Sequence, residues 1–275
     1  MEGLAGLTVV EMPSEDTTNS ISSKLKLAQA WNRQSVALME QENLSEAAVF
    51  LKMAAIALSE SSKSLENDEA QMEEEDKPNE KKEEVPSSRL SIESHGKTLN
   101  REASIFHRPF SFHVHSSEAF LVSRPCKKRK ISNSPHVSSS DHKRCSVCCL
   151  FNAGLLFHLE WMNLQKTPYD SSPRPLHMGD GDKLLIQACH CYEKAFRLIQ
   201  REPVARSEAI LHVLMAICTN ATECHLQLGN LDHAMVWNRQ LCQLLAFSSF
   251  SISTIDFFLS SAFYNSFSRV AANSA

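Results

Sequence analysis

Glycine and proline are scarce in this chain, at 7 and 10 of 275 residues, and no uninterrupted apolar run approaches the length of a membrane span. The first shortage argues against an all-β sandwich or barrel, which needs turn residues every few positions. The second predicts no membrane partner. A net charge of −4 exerts no global pull on nucleic acid or an anionic surface, so no nucleic-acid partner is expected either. The opening residues lack a basic region and carry Glu2 and Glu11, a poor match to a secretory or transit peptide. The chain is therefore expected to be intracellular, in cytoplasm or nucleus, and its nine cysteines are read as reduced thiols.

Catalytic signatures are missing as well. There is no G-x-S-x-G elbow and no H-E-x-x-H pair, and Gly179-Asp180-Gly181-Asp182 lacks the Lys and Ser/Thr of a phosphate-binding loop. No enzyme, no catalytic residue and no cofactor is expected.

What the chain does have is helical periodicity in blocks. Leu25, Ala28, Trp31, Ser35, Leu38 and Met39 share one helix face, and Leu44, Ala47, Ala48, Leu51, Ala54, Ala55 and Leu58 share another. Met215–Leu241 shows the same pattern on either side of Gly229, a helix pair joined by a tight turn. Between these blocks the composition changes. The run Glu73-Glu74-Glu75-Asp76, with Pro78 and Pro86 nearby, sits in a Ser/Glu/Lys-rich stretch with too little apolar surface to offset its ordering entropy. From Phe110 to His115 apolar and polar residues alternate, the period of an extended strand; Pro109 restricts that arm to an edge or a non-ladder extended segment, expected to lie across the helices.

The blocks carry a resemblance. Trp31, Ser35, Leu38, Ala47, Leu51 and Ala54 stand where a tetratricopeptide (TPR) helix pair has its alternating large and small packing positions. Ala153, Gly154, Phe157, Ala188, Tyr192 and Ala195 resemble a second unit, and Ala221, Thr222, His225, Gly229, Ala234 and Leu241 a third. Glu42 replaces the usual turn glycine, which predicts a less tight turn, and Asn238 replaces the usual aromatic. The H-R-P-F, F-N-A-G-L-L-F-H-L, C-Y-E-K-A-F and N-A-T-E-C-H-L-Q-L-G-N segments are also similar to TPR-like proteins of diatoms, a likeness that implies no activity.

The resemblance implies an all-α fold, helix pairs stacked as a short solenoid with an extended arm and long disordered insertions. The expected organisation is a disordered N-terminus at 1–19, a first helix pair at 20–61, an acidic disordered loop at 62–104, the arm at 105–116, and a basic linker at 117–144. A second and third pair follow at 145–250, with a capping helix at 251–275, since the last apolar face of a solenoid needs cover.

The resemblance also implies a non-catalytic scaffold that binds a peptide or helix of a protein partner in the groove of the first helices. By motif register that groove comprises Asn32, Val36 and Met39, then Phe151, Leu155 and His158, then Thr219, Glu223 and Leu226. Glu223 would repel a peptide carboxylate, so an apolar or amphipathic segment suits the groove better. The alternative is that the chain's own 105–115 arm fills it.

Two other readings compete. Lys127, Lys128, Arg129 and Lys130 resemble a nuclear-import signal, with Ser134-Pro135 as a nearby phosphorylation site. That reading makes the chain a nuclear regulatory adaptor. A solvated charge cluster is its plain counterpart. His142, Cys145 and Cys148 offer zinc-ligand chemistry and hence a zinc-stabilised domain. However, the C-x-x-C opens a helix in which adjacent Cys148 and Cys149 point in different directions, Cys189 and Cys191 lie on roughly opposite helix faces, and buried thiols pack as small hydrophobes. No metal site is expected.

Overall fold

The computed structural model describes residues 21–72, 90–95, 105–114, 139–166, 179–200, 208–247 and 256–263. Helices dominate them: α1 Ile21–Glu40, α2 Leu44–Met72, α3 Ser139–Lys166, α4 Gly179–Gln200, α5 Glu208–Gln227 and α6 Leu231–Phe247, then α7 at 256–263. Strands β1 Leu90–Ser94 and β2 Phe110–Val114 form one antiparallel ladder, with Ile92 opposite Phe112 and Ser94 opposite Phe110. The helices pack in chain order as pairs α1–α2, α3–α4 and α5–α6, each pair against the next, while α1, α3 and α5 adjoin on one side.

Two turns show how sequence sets this packing. At the end of α1, Glu42 N–H donates to Met39 O (3.1 Å) and Asn43 N–H to Leu38 O (2.9 Å). At the end of α5, Gly229 N–H donates to Leu226 O (3.0 Å) and Asn230 N–H to His225 O (2.8 Å). Both are Schellman closures, with the left-handed position taken by Glu42 (φ 61°) in one and Gly229 (φ 73°) in the other. The expected loosening at Glu42 does not occur. Asn43 and Asn230 then open α2 and α6, accepting at their carbonyls from Ala47 and Ala234 (3.1 and 3.0 Å). Asn43 and Glu46 add a reciprocal cap, 2.7 Å between Nδ2 and Oε2.

Several boundaries move. Helix α2 continues to Met72, well into the span assigned to a disordered loop, because Lys63–Met72 holds helix formers and no Pro or Gly before Pro78. Strand β1 also lies inside that span. Its Leu90-Ser91-Ile92-Glu93 alternation is short and acquires a partner only in β2. Helix α3 starts at Ser139 instead of Cys145, with Asp141 in its first turn and His142 Nε2 donating to Leu58 O of α2 (2.7 Å).

The core runs through all three pairs. Helix α5 is its axis, with every residue from Val213 to His225 buried. Helix α5 and most of α3, Ser140–Gln165, are long and apolar enough to cross a membrane, although neither holds an unbroken apolar run of that length. Their apolar windows are 78% and 56% buried inside the protein, as core helices are. Gly154 lets α4 approach α3: a Cβ there would lie 2.6 Å from Tyr192 Cε1. At the far end Asn238 Nδ2 donates to Ala262 O (3.3 Å), tying α7 to α6, while Trp237 beside it stacks edge-on against Phe196 at 5.0 Å.

Candidate peptide groove

The arm from Ile105 to Phe112 does not lie over the helices; it is sunk among them. Ile105, Phe106, Phe110, Ser111 and Phe112 are each no more than 2% exposed. Strand β2 packs on α1 and α3. Pro109 O accepts from His95 N–H (2.9 Å), whereas the buried peptide groups of Phe106 and Phe110 find side-chain partners. A primary amide is the side chain suited to this, since it presents one acceptor and two donors at about the spacing of a peptide edge.

Two asparagines supply it. Asn152 of α3 accepts from Phe110 N–H (2.8 Å) and donates to Phe110 O (2.8 Å). Asn220 of α5 accepts from Phe106 N–H (2.6 Å) and donates to Phe106 O (3.1 Å). Each uses its second amide hydrogen on a buttress: Asn152 on Asn32 Oδ1 (2.9 Å), Asn220 on Tyr192 Oη (3.3 Å). Asn32 of α1 in turn donates to Phe110 O (3.0 Å). All three asparagines are 0% exposed, so bulk water cannot stand in for these bonds and each is costly to lose.

The rings of the arm form one aromatic cluster with the helices. Phe106 stacks on Phe110 (5.6 Å) and on Phe258 of α7 (5.5 Å), and both arm rings meet Phe151 edge-on, at 6.4 and 5.1 Å. His212 of α5 touches Phe106, Phe110 and Phe258 at 5.3–5.7 Å. Burial, then the charge of Arg108, pushes its pKa down to about 4. Helix α7 thus caps the arm as well as the last helix pair. At the outer end Ser111 Oγ meets His95 Nε2 at 2.5 Å, and Arg33 Nη2 donates to His113 Nδ1 (2.9 Å).

The nine residues read as groove-lining are therefore not an open surface. Asn32, Val36, Met39, Phe151, Leu155, His158, Thr219 and Glu223 are buried, and Leu226 is half-buried. Asn32 and Phe151 touch the arm. Glu223 accepts from Gln227 on its own helix (2.7 Å). His158 Nδ1 lies 3.4 Å from Cys224 Sγ, and burial, then the neighbouring His107 of the arm, pushes its pKa down to about 3. The two residues that grip the arm twice, Asn152 and Asn220, escaped the register reading by one position. The signal was present: Phe151-Asn152-Ala153-Gly154 and Thr219-Asn220-Ala221-Thr222 place an amide two residues before the small packing position in both helices.

The zinc candidates are engaged otherwise. His142 is committed to the Leu58 carbonyl, Cys145 and Cys148 are 0% exposed, and burial pushes both thiols up, Cys148 to about 12. Among the described residues no group of three or more His, Cys, Asp or Glu converges. One thiol moves the other way: the neighbouring Cys224 thiol pulls Cys189 down against the effect of its burial, within a site where Cys189 itself is 6% exposed. Lys127–Lys130 and Ser134 lie outside the described residues. Comparison with family models, curated proteins and solved structures returns no match.

Proposed function

We propose that the three helix pairs form a short TPR-like solenoid that serves as a non-catalytic protein-interaction scaffold, reading an extended peptide main chain in the groove of α1, α3 and α5. The solenoid reading is supported by the chain-order packing of the pairs, by the matching closures at Glu42 and Gly229, and by the close approach of Tyr192 to Gly154.

The observation that carries the binding reading is the pair of two-way amide clamps, Asn152 on Phe110 and Asn220 on Phe106. They address the backbone, not the side chain, which is how a groove holds an extended segment of varied sequence. The groove's present occupant is the chain's own arm. Ile105, Phe106, Phe110 and Phe112 each contribute about 1.5–3 kcal/mol by burial, so an outside peptide meets a groove already closed.

The test is to pan a displayed peptide library on the full chain carrying Phe106→Ser and Phe110→Ser, which weakens the arm's hold. Extended peptides should be enriched, and enrichment should vanish when Asn152→Ala and Asn220→Ala are added. Equal enrichment with and without the asparagines contradicts the reading.

A further inference from the structure

We propose that the partner of this groove is an extended segment of another protein bearing two aromatic side chains four residues apart, and that it binds by taking the place of residues 105–112. This rests on the groove being a peptide site and adds the ligand's chemistry and the competitor it must displace.

The template is the arm itself. Its clamped residues, Phe106 and Phe110, both need a free N–H for Asn220 and Asn152, so a ligand cannot carry proline at either place. Recognition beyond the main chain falls to the rings. The Phe106 and Phe110 rings stack on each other at 5.6 Å, a contact internal to the bound segment that requires the four-residue spacing. Outside that pair, the surroundings include Phe151, His212, Phe257 and Phe258, an aromatic site that rewards a second aromatic surface more than an aliphatic one. With His212 held neutral by burial, the site is also apolar around neutral pH.

The arm's place in the chain suits exchange. Helices α2 and α3 pack directly on each other, although residues 73–138 intervene between them. Departure of the arm opens the β1–β2 ladder but need not part α2 from α3. A tethered occupant acts as a local competitor at high effective concentration, so the same peptide supplied in trans meets a groove that is seldom vacant.

The experiment titrates a labelled peptide of residues 104–115 into the full wild-type chain and into the full chain with Phe106→Ser and Phe110→Ser, with helicity checked by circular dichroism. The released chain should bind at least about tenfold more tightly than wild type, because the cis competitor is weakened. A peptide with serine in place of Phe106 and Phe110 should lose about tenfold or more, the cost of two unfilled ring sites. If the folded, released chain binds neither peptide, the groove is not a peptide site and both readings fall. If it binds both peptides equally, the groove reading stands and the aromatic ligand is wrong. Equal binding to wild type and released chain overturns the competition. A wild-type dimer that dissociates as the peptide is added assigns the groove to a second copy of this chain and overturns the outside partner. Should the released chain unfold, the wild type is titrated with excess peptide and the exchange of its own Phe106 and Phe110 amides is followed. Faster exchange supports displacement; unchanged exchange overturns it.

Discussion

Helices α3 and α5 hold the same arm with the same residue, yet their clamps are not equivalent. Asn152 shares its load: Phe110 O is also held by Asn32, at 3.0 Å. Asn220 works with Tyr192 behind it, and among the contacts described here Phe106 N–H and O both go to Asn220. The lesson is that a repeated position conserves a geometry while its consequence depends on what each neighbouring helix adds.

The largest effects should come from breaking this contrast. Asn220→Ala leaves the buried donor and acceptor of Phe106 without that partner and should cost about 3–5 kcal/mol by chemical denaturation. Asn152→Ala strands Phe110 N–H but leaves Phe110 O on Asn32, and should cost less, about 2–3 kcal/mol. Equal losses at the two sites would erase the distinction. Next comes acid. His158 and His212, with pKa values pushed to about 3 and about 4, are neutral when folded, whereas in the unfolded chain they take protons near their ordinary 6.5. The unfolded state then binds more protons, so stability falls as pH drops from about 6.5 toward 4, by up to about 1.4 kcal/mol per unit for each histidine. His212→Phe should flatten that dependence in a pH series of denaturation midpoints.

A third effect tests the buttress behind Asn220. Gly154→Ala places a methyl 2.6 Å from Tyr192 Cε1 and should cost about 1–3 kcal/mol through overpacking. Its cost and that of Asn220→Ala should be non-additive in a double-mutant cycle, since both act on Tyr192. The smallest effects belong to the two turns. Gly229→Ala should lose about 1 kcal/mol from its left-handed φ alone, as nothing lies within 4 Å of the added carbon. Glu42→Gly should gain about 0.5–1 kcal/mol for the mirror reason. Opposite signs in thermal melts would confirm that the two turns share one geometry.

These cases also mark how far the sequence could be read. The helix pairs were legible because their apolar spacing is local, and Gly229 marked its turn. At Glu42 the residue type misled, because two closure bonds and the Asn43 cap offset the strain of a non-glycine in that conformation. Strand β1 was hidden by its length and its Ser/Glu surroundings; only pairing with β2 makes it a strand. Asn152 and Asn220 were hidden for a deeper reason. An amide on a helix reads as surface, and what buries these two lies 42 and 114 residues away in the chain. The one local trace is that each amide stands two residues before a small packing position; neither helix records which segment it meets.

The central claim is that the groove is filled by the chain's own arm through two amide clamps. Native-state hydrogen exchange of the Phe106 and Phe110 amides in the full chain tests it most directly. The account predicts protection approaching that of the α5 core amides, falling selectively at Phe106 in Asn220→Ala and at Phe110 in Asn152→Ala. Exchange of both amides at the rate of an open loop in the wild-type chain would contradict it.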